Sequence, residues 1–232
     1  MNTREILIPI DAPLAVLAGG GLDSAILLGE AARDVSASVQ PLYVRQGFAW
    51  EDAERAVLVR FLDAIAAPNL RSLIVLDLPA TDLFATHWSV TGQNVPGART
   101  PDHAVELLGR NVFLLAKSML WCRLNDFPAV ALATLGSNPF ADASEHFFST
   151  FESVVNEAIG GTVRVLRPYA KYHKRNVMRR GAGFPLDWTF SCIHPIGGFH
   201  CGVCNKCAER KQAFLDAERD DRTLYSNSRQ LD

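Results

Sequence analysis

Val16-Leu17-Ala18-Gly19-Gly20-Gly21-Leu22-Asp23-Ser24, followed directly by Ala25-Ile26-Leu27-Leu28, decides how the fold is read. A short apolar run reads as a buried strand, three glycines as its turn, and the apolar-periodic run beyond as a helix start. Glycine has no Cβ, so such a turn can approach an anion closely. The N–H groups of the helix start, with Asp23 or Ser24 near the cap, then point at phosphate. Glycine-rich strand–helix turns also occur without nucleotide, and the loop alone leaves both readings open. The spacing is not that of the dinucleotide G-x-G-x-x-G fingerprint, and no G-K-[ST] follows, which excludes a Walker A loop.

The 232 residues can bury one good core. Hydrophobic residues at 48% and charged residues at 21% make an ordinary soluble composition. A formal net charge of −2 gives no global argument for nucleic acid as a partner, while local basic patches stay open. No apolar stretch approaches the roughly 20 residues that span a bilayer. Met1-Asn2-Thr3-Arg4-Glu5-Ile6 lacks the layout of a signal peptide, so cytoplasm is the default expectation. A homodimer is left open.

Strands alternating with helices predict an α/β fold: a Rossmann-like parallel sheet of about five strands with helices on both faces. Residues 1–13, with Pro9 and Pro13, read as a loose lead-in. Strands are expected at 14–18, 38–44, 72–76, 129–134 and 163–166. Helices are expected at 24–33, 50–65, 111–124, 145–158, 174–180 and 207–217. In the second helix Ala53, Ala56, Val57, Leu58, Val59 and Phe61 offer an apolar stripe, and Glu51, Asp52, Glu54 and Arg55 a wet side. The stretch 79–108 is too polar and punctuated for a long element, and a loop of that length is often functional. The expected division is a nucleotide-binding domain, 1–185, and a metal-binding C-terminal lobe, 186–232. In such sheets the ligand sits beyond the carboxyl ends of the strands, where their order reverses.

Cys192, Cys201, Cys204 and Cys207 are spaced C-x8-C-x2-C-x2-C. In a reducing compartment that clustering argues for a metal rather than disulfides. Four thiolates close a tetrahedral shell around structural zinc and leave no position for water. An iron–sulfur cluster uses the same ligands and stays open. Gly197-Gly198 supplies a turn that folds the first cysteine back, His200 reads as a loop histidine, and Cys122 as a small core residue.

Gly20, Gly21, Asp23 and Ser24 match the Ser-Gly-Gly-x-Asp-Ser pyrophosphatase loop of adenylating α/β enzymes, with Gly19 in place of the first serine. That loop together with the cysteine spacing resembles the 7-cyano-7-deazaguanine synthase family, from about Leu14 to Phe214. The family's Pro-Gly-Arg-Asn reads here Leu108-Gly109-Arg110-Asn111. Its Pro-Leu with a lysine six residues after the proline is matched by Pro168 and Lys174, with Tyr169 for the leucine. Its Cys-x-x-Cys-x-x-Cys-x-x-Arg ending matches through Arg210, and Tyr43-Val44-Arg45-Gln46-Gly47 stands loosely where the family has Tyr-Gly-Gln. A longer family segment, Asp-x-Ser-Gly-Tyr-Pro-Asp-Cys-Arg, that looks after the deazaguanine is trimmed here to Ser137-Asn138-Pro139-Phe140-Ala141-Asp142-Ala143-Ser144.

The resemblance implies an ATP-dependent carbon–nitrogen ligase that adenylates a carboxylate, releases pyrophosphate and forms an amide with ammonia, then a nitrile with a second ATP. It implies ATP held by Ala18, Gly19, Gly20, Gly21, Leu22, Asp23, Ser24 and Tyr43, and magnesium on the polyphosphate. Asp23, Ser24, Arg110 and Lys174 are the expected catalytic residues. Asn111, Asn138, Asp142 and Ser144 are expected at the acceptor, helped by Gln93, Asn94 and Arg99 of the 79–108 loop. Arg110 and Lys174 suit a carboxylate or phosphate, and each also reads as an ordinary surface charge. The run Lys171-Tyr172-His173-Lys174-Arg175 is either a solvated face or an anion-collecting rim. A different carboxylate or a macromolecular amine as acceptor, and a nucleotide-binding module without turnover, are the other readings that Gly19 and the trimmed segment admit.

Overall fold

The computed structural model describes residues 7–9 and 11–226. Residues 1–6 and 10 of the expected lead-in, the leader reading of Met1–Ile6, and 227–232 of the C-terminal lobe lie outside the described residues.

Strand β1 spans Leu14–Leu17 and helix α1 Leu22–Asp34. There follow β2 (Val39–Arg45), α2 (Glu51–Ala64), β3 (Ile74–Asp77), a single turn α3 (Trp88–Thr91), α4 (Arg110–Leu124) and β4 (Ala129–Ala131). The chain continues through α5 (Glu145–Ile159), β5 (Arg164–Leu166), α6 (Lys174–Arg180) and α7 (Asn205–Asp216). The strands hydrogen-bond in the order β3-β2-β1-β4-β5, every neighbouring pair parallel. This is the expected five-stranded sheet.

Side chains alternate across a strand, and β1 divides the core accordingly. Leu14 and Val16 pack with Ile26 and Leu27 of α1, Leu58 and Phe61 of α2, and Met178 and Phe214 of α6 and α7. Ala15 and Leu17 pack on the other face with Leu115 and Met119 of α4 and Phe148 of α5, where Cys122 is fully buried. Each such leucine or phenylalanine taken out of water contributes roughly 1.5–3 kcal/mol.

Two expectations need correction. Strand β4 ends at Ala131 rather than Thr134. Leu132 still donates to the Leu166 carbonyl at 3.0 Å, but β5 ends there, and Ala133 and Thr134 have no strand to pair with. On α2 the expected wet side is half wrong: Asp52 is exposed and Arg55 half-buried, but Glu51 and Glu54 are buried, while Ala56 and Val59 of the expected apolar stripe are exposed. The buried face runs through 51, 54, 58, 61 and 62, a helical stripe whose first two members are acids.

The order of the sheet reverses between β1 and β4, whose carboxyl ends border the crevice where such folds place a ligand. The glycine turn after β1 lies there. A third apolar cluster, including Phe48, Trp50, Leu107, Phe190 and Ile193, closes the same end around the four cysteines. Among the described residues no helix is long and apolar enough to cross a membrane.

Candidate active site

Gly20 has φ +65°, and a Cβ there would lie 2.7 Å from Cγ of Glu54 and 3.3 Å from its carbonyl oxygen. Only glycine meets both demands, a left-handed backbone and a close neighbour. Gly21 is the N-cap of α1 and is extended, and no side chain caps it. The loop closes on itself instead: Ser24 Oγ accepts from Gly19 N–H at 3.3 Å and donates to the Gly21 carbonyl at 3.1 Å. Around Gly19 there is room, since the nearest atom to an added Cβ is Glu54 Oε1 at 4.0 Å. An uncapped helix start of this kind offers N–H groups to an anion.

Lys174, at the first turn of α6, reaches across to Asp23 in the first turn of α1. Its Nζ donates to both carboxylate oxygens, at 2.8 and 2.7 Å. Behind the loop Tyr43 is buried, and its hydroxyl donates to Glu54 Oε2 at 2.7 Å. Burial pushes the Glu54 carboxyl up to about 7, although Arg110 and the Tyr43 hydrogen bond pull the other way. Glu51 accepts backbone N–H groups of Gln46 and Gly47, both at 2.8 Å, and so fixes the turn after β2.

Arg110 opens α4, an end where the helix dipole opposes a cation. Its guanidinium lies over the Phe48 ring at 5.8 Å and donates through Nε to Gln46 Oε1 at 3.4 Å. The attraction of Glu54 and Glu51 accounts for its place as well as a bound anion would. Asp142 answers the dipole. Its carboxylate accepts the Asn111 N–H at 2.9 Å, and Asn111 Nδ2 returns a bond to the Asp142 carbonyl at 2.9 Å.

The glycine loop, Tyr43, Glu54, Arg110, Asn111 and Lys174 border one cleft of about 380 Å³. Ala18, Gly19, Gly21, Leu22, Asp23, Ser24, Tyr43, Glu54, Arg110, Asn111, Asn138 and Lys174 all line it, whereas Gly20 is turned against Glu54. Asp142 and Ser144 do not line it. Asp142 serves α4 as described, and Ser144 is the N-cap of α5, its hydroxyl accepting the Phe147 N–H at 3.1 Å. The 79–108 loop also contributes differently from expectation. Gln93, Asn94 and Arg99 are exposed and outside the cleft, while Trp88, Val105 and Leu107 form its apolar wall beside Trp50. Sequence reasoning missed Glu54 and this wall. The acids at 51 and 54 continue the helical spacing of Leu58 and Phe61, which is the signal that was available.

The four cysteines are buried, and their sulfur atoms all lie within 4.8 Å of one another. The Cys192–Cys204 and Cys201–Cys207 sulfurs are 3.9 Å apart. Metal–sulfur bonds of about 2.3 Å in a tetrahedron set sulfurs about 3.8 Å apart, so the set fits one four-coordinate ion. Backbone N–H groups of His194 and Cys201 point at Cys192 Sγ, and those of Val203 and Cys204 at Cys201 Sγ, at 3.3–3.4 Å. Bonds of this sort favour the thiolate form. Gly197 and Gly198, at φ +59° and +82°, make the expected turn. His200 is outside the ligand set. It is buried, and its Nε2 accepts the Ser191 N–H at 3.1 Å.

Comparison with known proteins gives a match to the family model of queuosine biosynthesis protein QueC over residues 14–218. The 7-cyano-7-deazaguanine synthase of Methanothrix thermoacetophila is 28% identical over 235 residues, covering 91% of this chain and 97% of that protein. The synthase of Brucella anthropi is 34% identical over 125 residues, 51% of this chain and 53% of that protein, so this alignment spans about half the relative's length. Among solved structures, the U34-tRNA thiolase NcsA from Methanococcus maripaludis overlays with a TM-score of 0.49 at 10% identity, covering 90% of this chain and 67% of that one.

Proposed function

The chain belongs to the family of queuosine biosynthesis protein QueC, and we propose that it converts 7-carboxy-7-deazaguanine, ammonia and ATP into 7-cyano-7-deazaguanine. The observation that carries this reading is the uncapped start of α1 at the sheet's switch point, with Lys174 and Arg110 on the walls of the same cleft. In this reading a substrate carboxylate oxygen attacks the α-phosphorus of ATP. Pyrophosphate leaves onto the N–H groups of the Gly19–Ser24 loop, where an oriented helix start stabilises the charge that develops. Arg110 and Lys174 meet the negative charge of the carboxylate and α-phosphate. Ammonia then attacks the acyl carbon, a C–N bond forms, AMP departs and one proton is released. The amide oxygen then attacks the α-phosphorus of a second ATP with release of pyrophosphate, and loss of AMP and of the two amide protons leaves the nitrile.

Magnesium would neutralise the polyphosphate, and Asp23, partly exposed on the cleft wall, would hold it once Lys174, on both its oxygens in this structure, turns to the substrate. The sulfur separations favour a mononuclear zinc over a multi-iron cluster, and the closed shell leaves it a structural role.

A second reading has one specific observation behind it. Asp142 and Ser144 are occupied as helix caps, and the wall they would have supplied is replaced by Trp88, Val105 and Leu107. A less polar planar carboxylate would suit that wall. Labelled ATP decides both matters. AMP and pyrophosphate formed only with 7-carboxy-7-deazaguanine and ammonia support the first reading, and product with another aromatic acid alone supports the second. Neither product with any acid refutes both.

A further inference from the structure

Arg210 is 1% exposed and among the described residues has no carboxylate in contact. Its partners are neutral: Nε donates to Thr223 Oγ1 at 2.7 Å, and Nη2 to the Leu186 carbonyl at 2.7 Å. Nη1 donates to Thr189 Oγ1 at 2.7 Å and Ser191 Oγ at 3.2 Å. Tyr225 and Asp221 attract it, Asp221 accepting the Tyr225 hydroxyl at 2.6 Å and the Thr223 N–H at 3.0 Å, and Cys207 attracts it after them. A buried cation needs compensating charge, and four thiolates around a divalent ion carry two net negative charges. Arg210 lies one helical turn beyond Cys207 on α7, so that centre is its near neighbour.

The residue between Thr189 and Ser191 is Phe190, whose N–H donates to the Gly20 carbonyl at 2.8 Å. Arg210 therefore holds the strut that holds the glycine loop. His200, next to Cys201, grips the same strut: it accepts the Ser191 N–H at 3.1 Å, and its ring packs on Phe190 at 4.6 Å.

We propose that Arg210 is a positioning residue for the Gly19–Ser24 loop, and that the metal-bound tetrathiolate adds to Asp221 the counter-charge that keeps it in place. The cysteine centre then acts on nucleotide binding through Arg210 and Thr189–Ser191, with no residue of its own in the reaction. The link to nucleotide rests on the reading of the loop as a polyphosphate site, while the link to loop order does not.

The test is hydrogen exchange of the peptide covering 19–25 in the metal-loaded wild type, in chelator-stripped protein and in Arg210→Gln, with metal content measured alongside. Exchange at 19–25 is expected to be at least about tenfold faster in the stripped and variant proteins, with α4 and α5 peptides unchanged. Unchanged exchange at 19–25 in Arg210→Gln that still holds its metal overturns the positioning role. Unchanged exchange in stripped wild type overturns the counter-charge role. Should Arg210→Gln unfold or lose metal, Ser191→Ala removes one acceptor and leaves the charge: faster loop exchange supports the proposal and none overturns it. Labelled ATP binding to the same samples separates the two readings, because a wild type that binds no ATP refutes the polyphosphate site while the exchange result still judges Arg210.

Discussion

Lys174 and Asp23, 151 positions apart in sequence, meet with Nζ 2.8 and 2.7 Å from the two carboxylate oxygens. The contact ties the first turn of α6 to the first turn of α1, at the mouth of the glycine loop. Both side chains are partly exposed, 35% and 23%, so the pair stabilises the fold by about 0–1 kcal/mol at most. In the proposed reaction its weight falls on the chemistry. Asp23→Asn is expected to fold normally, with Tm within a few degrees of the parent, and to form AMP at least about tenfold more slowly. AMP release at the parent rate from this variant would remove Asp23 from the proposed chemistry.

Glu54 gives the protein a pH dependence with a definite sign. Burial raises its folded-state carboxyl to about 7, above the ordinary carboxylate value. Such a group favours the fold while protonated, so its contribution is complete below about 4.5 and is lost as pH rises through about 7. Glu54→Gln keeps the shape and a hydrogen-bond acceptor for Tyr43 without the titration. The variant is expected to show a flatter Tm between pH 5 and 8.5 and to gain on the parent at the alkaline end. Parallel Tm profiles for the two proteins would show that Glu54 is ionised throughout.

The same residue marks what the sequence made legible and what it did not. Strand–turn–helix at 16–28 was readable because three glycines interrupt apolar runs of two different periods, and the thiol set because its spacing has few other uses. Glu51 and Glu54 were misread as solvated because a charged residue carries a strong prior for exposure. Their actual environment is made by Tyr43, by the N–H groups of Gln46 and Gly47, and by Arg110, contacts that only the folded chain brings together. Gln93 and Arg99 failed in the opposite sense. Polarity suggested a binding role, yet the folded loop turns its apolar residues to the cleft and leaves these in water.

Adjacent glycines of the loop are expected to respond in opposite ways. Gly20→Ala forces a Cβ to within 2.7 Å of Glu54 at φ +65° and should destabilise the protein by a few kcal/mol and abolish ATP turnover. At Gly19 an added Cβ meets nothing closer than 4.0 Å, so Gly19→Ser should leave Tm unchanged and be neutral or mildly activating. Thermal melts and AMP release on the two variants check this, and a large loss at Gly19 would mean the loop carries its own geometry.

Protein purified without added metal is expected to contain about one zinc per chain by elemental analysis, at the four-coordinate thiol site. Cys204→Ser should lose the metal and the ordered structure around Phe190 and Ile193, which share an apolar cluster with the cysteines. Stoichiometric iron with sulfide, or a metal-free protein with an unchanged melt, would contradict the zinc assignment.

In the proposed reaction Trp88, on the cleft wall, is the residue that tests where the acid sits. Phe48 and Trp50 stack at 5.0 Å and Trp50 and Trp88 at 5.7 Å, Trp88 packs also on His87 at 4.9 Å, and the two tryptophans line the cleft. A planar acid in the cleft can pack against Trp88, and stacking of a base on an aromatic side chain is worth about 1–3 kcal/mol. Trp88→Ala should therefore raise KM for the acid about tenfold or more and leave KM for ATP unchanged, while Trp88→Phe keeps most of the affinity. Gln93→Ala and Arg99→Ala, both exposed and outside the cleft, should change neither constant. Calorimetry of 7-carboxy-7-deazaguanine against a simple aromatic acid completes the test. Preference for the deazaguanine means that polar groups of the cleft such as Asn138 read its polar edge, because an unmatched buried polar group costs about 1–3 kcal/mol. Equal affinities that both fall in Trp88→Ala mean that stacking dominates and that the second reading of the acceptor holds. Affinities that ignore Trp88 would place the acid elsewhere in the cleft.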